Sequence, residues 1–269
     1  MFDDERTRPI AVPRGNRRLR LRVTVVTAFL AITGILGYVI FQASAAGRPA
    51  RDERIATVVF DRTSGKQVVG DHGGERFRTA SVVKLFIALD AITHGPRKSD
   101  EARIHRMLSR SDDAIANTLW TRNGASAIVT RTAAAIGLKN TSPPADAGRW
   151  GDTLSTAEDI AATYRHILTL PKAKRNLILK PLREAPRTAA DGFDQHFGIP
   201  TAFEDRPWAV KQGWAAGHGA VDAHTTGLVG EGDRYIVVIL TSHADGTDLA
   251  VATASATSAA ESLFPRLGK

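Results

Sequence analysis

Glu75 to Leu85 reads E-R-F-R-T-A-S-V-V-K-L, and the run continues as F-I-A-L-D-A-I to Ile92. From Ser81 onward almost every position is apolar, the pattern of a helix buried on all sides rather than along one stripe. Two polar residues interrupt it, Ser81 and Lys84, three apart and so on one side of a single helical turn. A lysine is poorly placed there. It lies in the first turn, near the positive end of the helix dipole, among Val82, Val83, Leu85 and Phe86. Both effects disfavour the ammonium and turn the amine into a usable general base. A serine hydroxyl within its reach becomes an activated nucleophile. The plainer alternative makes Ser81 a helix N-cap and Lys84 a surface residue with a covered stem.

On the N-terminal side of this stretch, Ile55 to Phe60 (I-A-T-V-V-F) reads as a strand, Asp61 to Gly65 as a turn, and Lys66 to Val69 as the return strand of a hairpin. On the C-terminal side the pattern is helical from Asp100 to about Leu182. Its apolar stripes are Ile104/Met107/Leu108, Ile115/Leu119 and Ile160/Tyr164/Ile167/Leu168. Loops are expected at Ser109 to Asp112 and at Lys139 to Leu154. Strands return at Trp208 to Trp214, His224 to Val229 and Tyr235 to Ser242, the last two joined by E-G-D, and an amphipathic segment from Asp248 to Leu263 closes the chain. The order predicts an α+β fold: an antiparallel sheet built from both chain ends and flanked by helices, with an all-helical insertion. We place the sheet part at 52–95 and 200–269 and the helical part at 96–199, within one domain at 46–269.

Residues 1–22 are polar and arginine-rich, and Val23 to Phe41 is a run of nineteen residues without a charge. Ala43-Ser44-Ala45 then offers a small-x-small cleavage site. Segment 23–45 is expected to be a transmembrane anchor or a signal peptide, with the basic residues 1–22 held in the cytoplasm. Either way the domain works outside the cytoplasmic membrane, as a single-pass membrane protein or as a protein secreted after cleavage near Ala45. Seven arginines and three acids in the first 45 residues supply four of the eight formal positive charges, so the domain is only mildly basic. With no basic stripe or recognition motif, nucleic acid is not an expected partner. The chain has no cysteine, hence no disulfide, thiolate metal site or lipid-bearing cysteine. Its eight histidines show no ligand spacing; neither metal nor cofactor is expected, and a monomer is assumed.

Two further stretches stand in a fixed order after S-x-x-K. M-L-S-R-S-D-D-A-I-A-N places Ser111-Asp112-Asp113 on a turn between helices, and V-K-Q-G-W places Lys211 to Trp214 on a strand. The series S-x-x-K, S-D-(N), K-(T)-G resembles the penicillin-recognising serine enzymes, in particular the class A β-lactamases and their D,D-carboxypeptidase-like relatives. F-D-R-x-S-G before the first turn and G-D-T-L-S-T-A-E-D-I-A opening a later helix extend the resemblance from about Ile55 to the C-terminus. The resemblance implies Ser81 as the acylated nucleophile, Lys84 as its base, Ser111 as proton relay and Lys211 as the positive charge behind relay and substrate carboxylate. It implies a substrate-binding edge at Asp113, Gln212, Gly213 and Trp214, with the backbone N–H groups of Ser81 and Trp214 as oxyanion hole. The implied substrates are β-lactams or cell-wall D-alanyl peptides.

The departures from the family pattern carry as much weight. Asparagine is usual where Asp113 stands; a carboxylate accepts but cannot donate, and it raises the pKa of a nearby lysine. Alternatively Ser111 caps the following helix and the two aspartates favour its dipole. Gln212 replaces the usual hydroxyl residue, and Trp214 either crowds the site or packs over the sheet. The loop from Lys139 to Leu154 lacks the glutamate that orients a deacylating water, offering only Asp146 and Asp152. Slow deacylation is therefore expected. The alternative is a non-catalytic module on the same fold that binds cell-wall fragments or another envelope protein.

Overall fold

The computed structural model describes residues 53–94 and 97–267. The basic segment, the apolar run and the cleavage site lie outside them. Seven strands are described: β1 (Arg54–Asp61), β2 (Lys66–Asp71), β3 (Arg76–Arg78), β4 (Leu154–Thr156), β5 (Trp208–Gly217), β6 (Ala220–Val229) and β7 (Tyr235–Ala244). The helices are α1 (Lys84–Thr93), α2 (Glu101–Ser109), α3 (Asp113–Arg122), α4 (Ser126–Ile136), α5 (Ala157–Thr169), α6 (Lys172–Arg183), the short α7 (Ile199–Ala202) and α8 (Leu249–Glu261). None of these helices is long and apolar enough to cross a membrane.

The main sheet runs β2-β1-β7-β6-β5, all antiparallel, so both chain ends contribute to it as the order of elements requires. β7 (Y-I-V-V-I-L) is apolar at every one of its first six positions because both faces of the sheet are covered. Side chains alternate across it. Val58, Leu228, Ile236, Val238 and Leu240 join α1, α5 and the intervening helices in one core. Val59, Val210, Val229, Val237 and Ile239 pack with Phe203, Ala260 and Leu263 in a second core on the other face. α1 is the centre of the first core, buried from Lys84 to Ile92.

The helical part differs from the sequence reading in three places. The chain breaks between α3 and α4 at Asn123 to Ala125, where Gly124 (φ 95°) and Ala125 (φ 51°) take left-handed conformations. It breaks again at Pro171, ahead of α6. β4, inside the expected helical stretch, pairs with β3 and so ties this region to the segment entering Ser81. Side-chain caps fix the starts of α3, α5 and α8: Asp112 accepts from Ile115 N, Thr156 from Asp159 N and Asp248 from Ala250 N. The cap of α3 is thus Asp112 and not Ser111, whose hydroxyl is left for another task.

β5 and β6 approach closely at Gly227. A Cβ there would stand 2.2 Å from the Ala209 carbonyl oxygen, a backbone atom that cannot swing aside. Gly227→Ala should therefore cost at least about 2 kcal/mol of stability in urea unfolding. A loss below about 0.5 kcal/mol would show that the two strands part without penalty.

Candidate active site

β3 leads into a 3-10 turn, Ala80–Val83, before α1 begins at Lys84. Ala80 enters it at φ 44°, an unfavourable conformation for a residue with a Cβ. Three contacts hold the approach in place. Arg78 donates to Asp222 on β6 and to the Gly217 and Ala220 carbonyls. Thr79 N donates to Thr153 O at 2.8 Å. His224 is buried; Thr241 N donates to its Nδ1, which leaves Nε2–H to donate to Arg78 O at 2.7 Å.

The turn brings Ser81 to Lys84. Lys84 Nζ lies 2.6 Å from Ser81 Oγ, 3.1 Å from Ser111 Oγ, 2.9 Å from Ser111 O and 2.5 Å from Asp113 Oδ1. Ser111, at φ 55°, turns its hydroxyl inward, where Lys211 Nζ also donates to it at 3.0 Å. The structure therefore brings together Ser81, Lys84, Ser111, Asp113 and Lys211, from three separate segments. Both amines are fully enclosed. Burial lowers Lys84 below the ordinary lysine value, against the opposing pull of Asp113. Burial first, and then repulsion from Lys84, drive Lys211 well below it. Lys84 is thus not the half-exposed surface residue of the plainer reading.

The third motif is arranged differently from the sequence expectation. Gln212 was expected to contact substrate. Its Nε2 instead donates to Phe197 O (2.5 Å) and Gln195 O (3.2 Å), and the side chain is buried away from the cavity. Two loop carbonyls without other amide partners outcompete a solvent-facing orientation for the longer side chain. Gly213 serves by its size: a Cβ would stand 2.9 Å from Thr79 O and 3.0 Å from Val82 Cγ2. Only glycine lets β5 lie against the turn that carries Ser81. Trp214 stacks on Phe193 with centroids 4.8 Å apart and donates from Nε1 to Asp191 Oδ2.

A cavity of about 310 Å³ opens over this cluster, lined among others by Ser81, Asp113, Trp150, Asp191, Trp214 and Arg149. Like Asp191, Asp152 of the loop also lines it, and the loop's carboxylates already have partners. Asp146 accepts from Gly148 N in its own turn. Asp152 is bound by Arg149 Nε, and Glu158 lies beside Gly73. Trp150 instead faces Lys84, with the ring centroid 4.7 Å from Nζ, and donates from Nε1 to Asn117 Oδ1 at 2.7 Å. Sequence reasoning assigned no role to Trp150, Asp191 or Arg78. The only sequence signal for Trp150 is a tryptophan inside a polar Gly/Pro loop. Among the described residues no group of three or more His, Cys, Asp or Glu converges as a metal site would.

Residues 93–263 match the family described as the beta-lactamase enzyme family, a span that starts just after the Ser81–Lys84 turn. The chain is 37% identical over 237 residues to a protein named "Putative lipoprotein LppW" in Mycobacterium tuberculosis and in Mycobacterium bovis, covering 81% of this chain and 74% of that one. Among solved structures it is similar to a class A beta-lactamase from Mycobacterium abscessus (TM-score 0.64, 19% identity, 80% of this chain and 94% of that chain). It is also similar to a beta lactamase from Burkholderia vietnamiensis (TM-score 0.65, 19% identity, 81% and 93%). A third neighbour is a PBP-A variant solved as an acyl-enzyme with penicillin G (TM-score 0.62, 16% identity, 81% and 92%).

Burial of Lys211 has a consequence for stability. The folded chain holds this proton less tightly than the unfolded chain, so between the lowered value and the ordinary 10.5 the unfolded state binds more protons. Stability then rises with pH across that window, and the burial penalty is greatest on its acid side. Lys211→Met should be more stable relative to the parent near pH 6 than near pH 10 in urea unfolding, the difference shrinking as pH rises. An unchanging difference would mean that Lys211 titrates alike in both states.

Proposed function

Because the chain belongs to the beta-lactamase enzyme family of serine hydrolases, we propose that it is an exported serine acyl-enzyme that opens β-lactams or cell-wall D-alanyl peptides through Ser81. The observation that carries this reading is the unbroken chain of polar atoms Ser81 Oγ, Lys84 Nζ, Ser111 Oγ and Lys211 Nζ, at 2.6, 3.1 and 3.0 Å, beside the cavity. Unprotonated Lys84 takes the Ser81 proton as Oγ bonds to the acyl carbon. The negative charge on the former carbonyl oxygen faces the backbone N–H groups of Ser81 and Trp214. The carbon–nitrogen bond then breaks; the leaving nitrogen takes its proton from Ser111, which Lys84 reprotonates. Lys211, donating to Ser111 Oγ at 3.0 Å, orients that relay. An ester on Ser81 and a free amine remain.

Hydrolysis of the ester is the slow step in this scheme. The loop presents an indole to Lys84, and its cavity-lining carboxylate, Asp152, is held by Arg149. Loss of a positioned base costs about two to four orders of magnitude. Asp113 favours the second reading, a non-catalytic module that binds cell-wall fragments: its carboxylate at 2.5 Å opposes the loss of charge that a basic Lys84 requires. For location, the relative's name points to the cell envelope. This chain has no cysteine to carry a lipid, so residues 23–41 are the candidate tether.

A labelled penicillin followed by intact-mass measurement tests the reading. One long-lived adduct is expected, absent in Ser81→Ala at a stability change within about 1 kcal/mol. No adduct on the parent protein favours the binding module. Acylation should rise with pH through the lowered value of Lys84, since only the free amine accepts the proton. Asp113→Asn removes the charge that opposes this lowering, so its pH limb should move to lower pH and acylation at neutral pH should quicken. An unmoved limb would place Asp113 outside the chemistry.

A further inference from the structure

Trp150 is fixed from two directions. Its 3-10 turn, Trp150–Asp152, is tied to the nucleophile approach by Thr79 N to Thr153 O, and Trp150 O accepts from Thr153 N at 3.1 Å. Its indole Nε1 is seated on Asn117 of α3. The preceding loop is pinned by Trp120 Nε1, which donates to Ala147 O at 2.8 Å. The ring is thereby held over Lys84 Nζ, whose other neighbours are Ser81, Ser111 and Asp113. Lys84 is wholly buried although the Asp113 side chain paired with it is 63% exposed. What separates that amine from solvent on the loop side is the indole. A flat apolar face there excludes water, and it favours the ammonium whenever the amine carries a proton.

We propose that Trp150 is a positioning residue that lids Lys84, holding the amine on Ser81 and barring water from the loop side of any acyl group carried there. Applied to the acyl-enzyme reading above, on which that last clause rests, the lid sets how long the ester survives. Water that resolves the ester adds to the acyl carbon, Ser81 Oγ departs with one proton, and a carboxylic acid leaves. With the indole in place, that water is kept from the loop side of Lys84.

Two readouts separate this inference from the acyl-enzyme reading. The first needs no acylation: cyanate adds across the N–H of a free lysine amine to give a carbamyl group, located by peptide mapping, with the exposed Lys66 as internal reference. Relative to that reference, Lys84 should be carbamylated about tenfold faster in Trp150→Ala than in the parent, and within about twofold of the parent in Trp150→Phe. Asn117→Ala, which loses the seat of the indole, should fall between them. Equal rates in the parent and Trp150→Ala, or in Trp150→Ala and Trp150→Phe, overturn the lid. If Trp150→Ala does not fold, Trp150→Leu replaces it under the same criteria. The second readout is the lifetime of the penicilloyl adduct, which should shorten about tenfold in the same small variant. Absence of any adduct defeats the acyl-enzyme reading alone, because the cyanate result still decides the lid.

Discussion

Desolvation of two amines, Lys84 and Lys211, is the constraint around which this molecule is arranged. An ammonium taken from water into an apolar interior is expensive, and the usual outcome is a lowered pKa and a group that gives up its proton. Both amines are held within reach of one hydroxyl, that of Ser111. The sheet and α1 bear the cost: apolar cores on both faces of the sheet hold strands and helix rigidly enough to keep the amines there. A site this dry has a large effect on proton affinity, and a single carboxylate at its edge, Asp113, can shift the balance back. The competition between burial and Asp113 determines whether Lys84 is a base or a cation.

Backbone strain is concentrated at the same place. Ala80 and Ser111 both take positive φ, and each directs a neighbouring or its own side chain into the site. Such conformations persist only where surrounding contacts over-determine them. Here the contacts are Arg78 with Asp222, His224 with Arg78 O, and Gln195 Nε2 with Ser109 O. Arg78 and Asp222 also line the cavity. The work of these contacts is to hold the turn and the Ser111 loop against each other across long sequence separations.

The altered motifs form a coherent set. Gln212 turns inward and anchors the 195–197 loop, Trp214 stacks on Phe193, and Trp150 covers Lys84. Trp150 and Trp214 make the cavity wall aromatic, while Gln212 turns away from it and Ser81 and Lys84 remain in contact.

Much of the architecture was legible in the sequence, because hydrophobic periodicity is a local property. The strand runs at Ile55 and Tyr235, the all-round apolar helix after Ser81, and the separation of sheet strands to the two chain ends follow from it directly. So did the pairing of Ser81 with Lys84, since spacing along one turn determines which side chains meet. The breaks at Asn123 to Ala125 and Pro171 carried turn residues but lay inside strong helical stripes, which masked them. What only the tertiary structure decided are the contacts between distant segments: Asp112 rather than Ser111 as the cap, the inward turn of Gln212, the need for glycine at position 213, and Trp150 over Lys84. Each is a competition among partners many residues apart, for a carbonyl, for space or for the one uncovered face of an amine. Periodicity along the chain says nothing about who wins it, because the competitors are assembled only when the sheet closes on the helices.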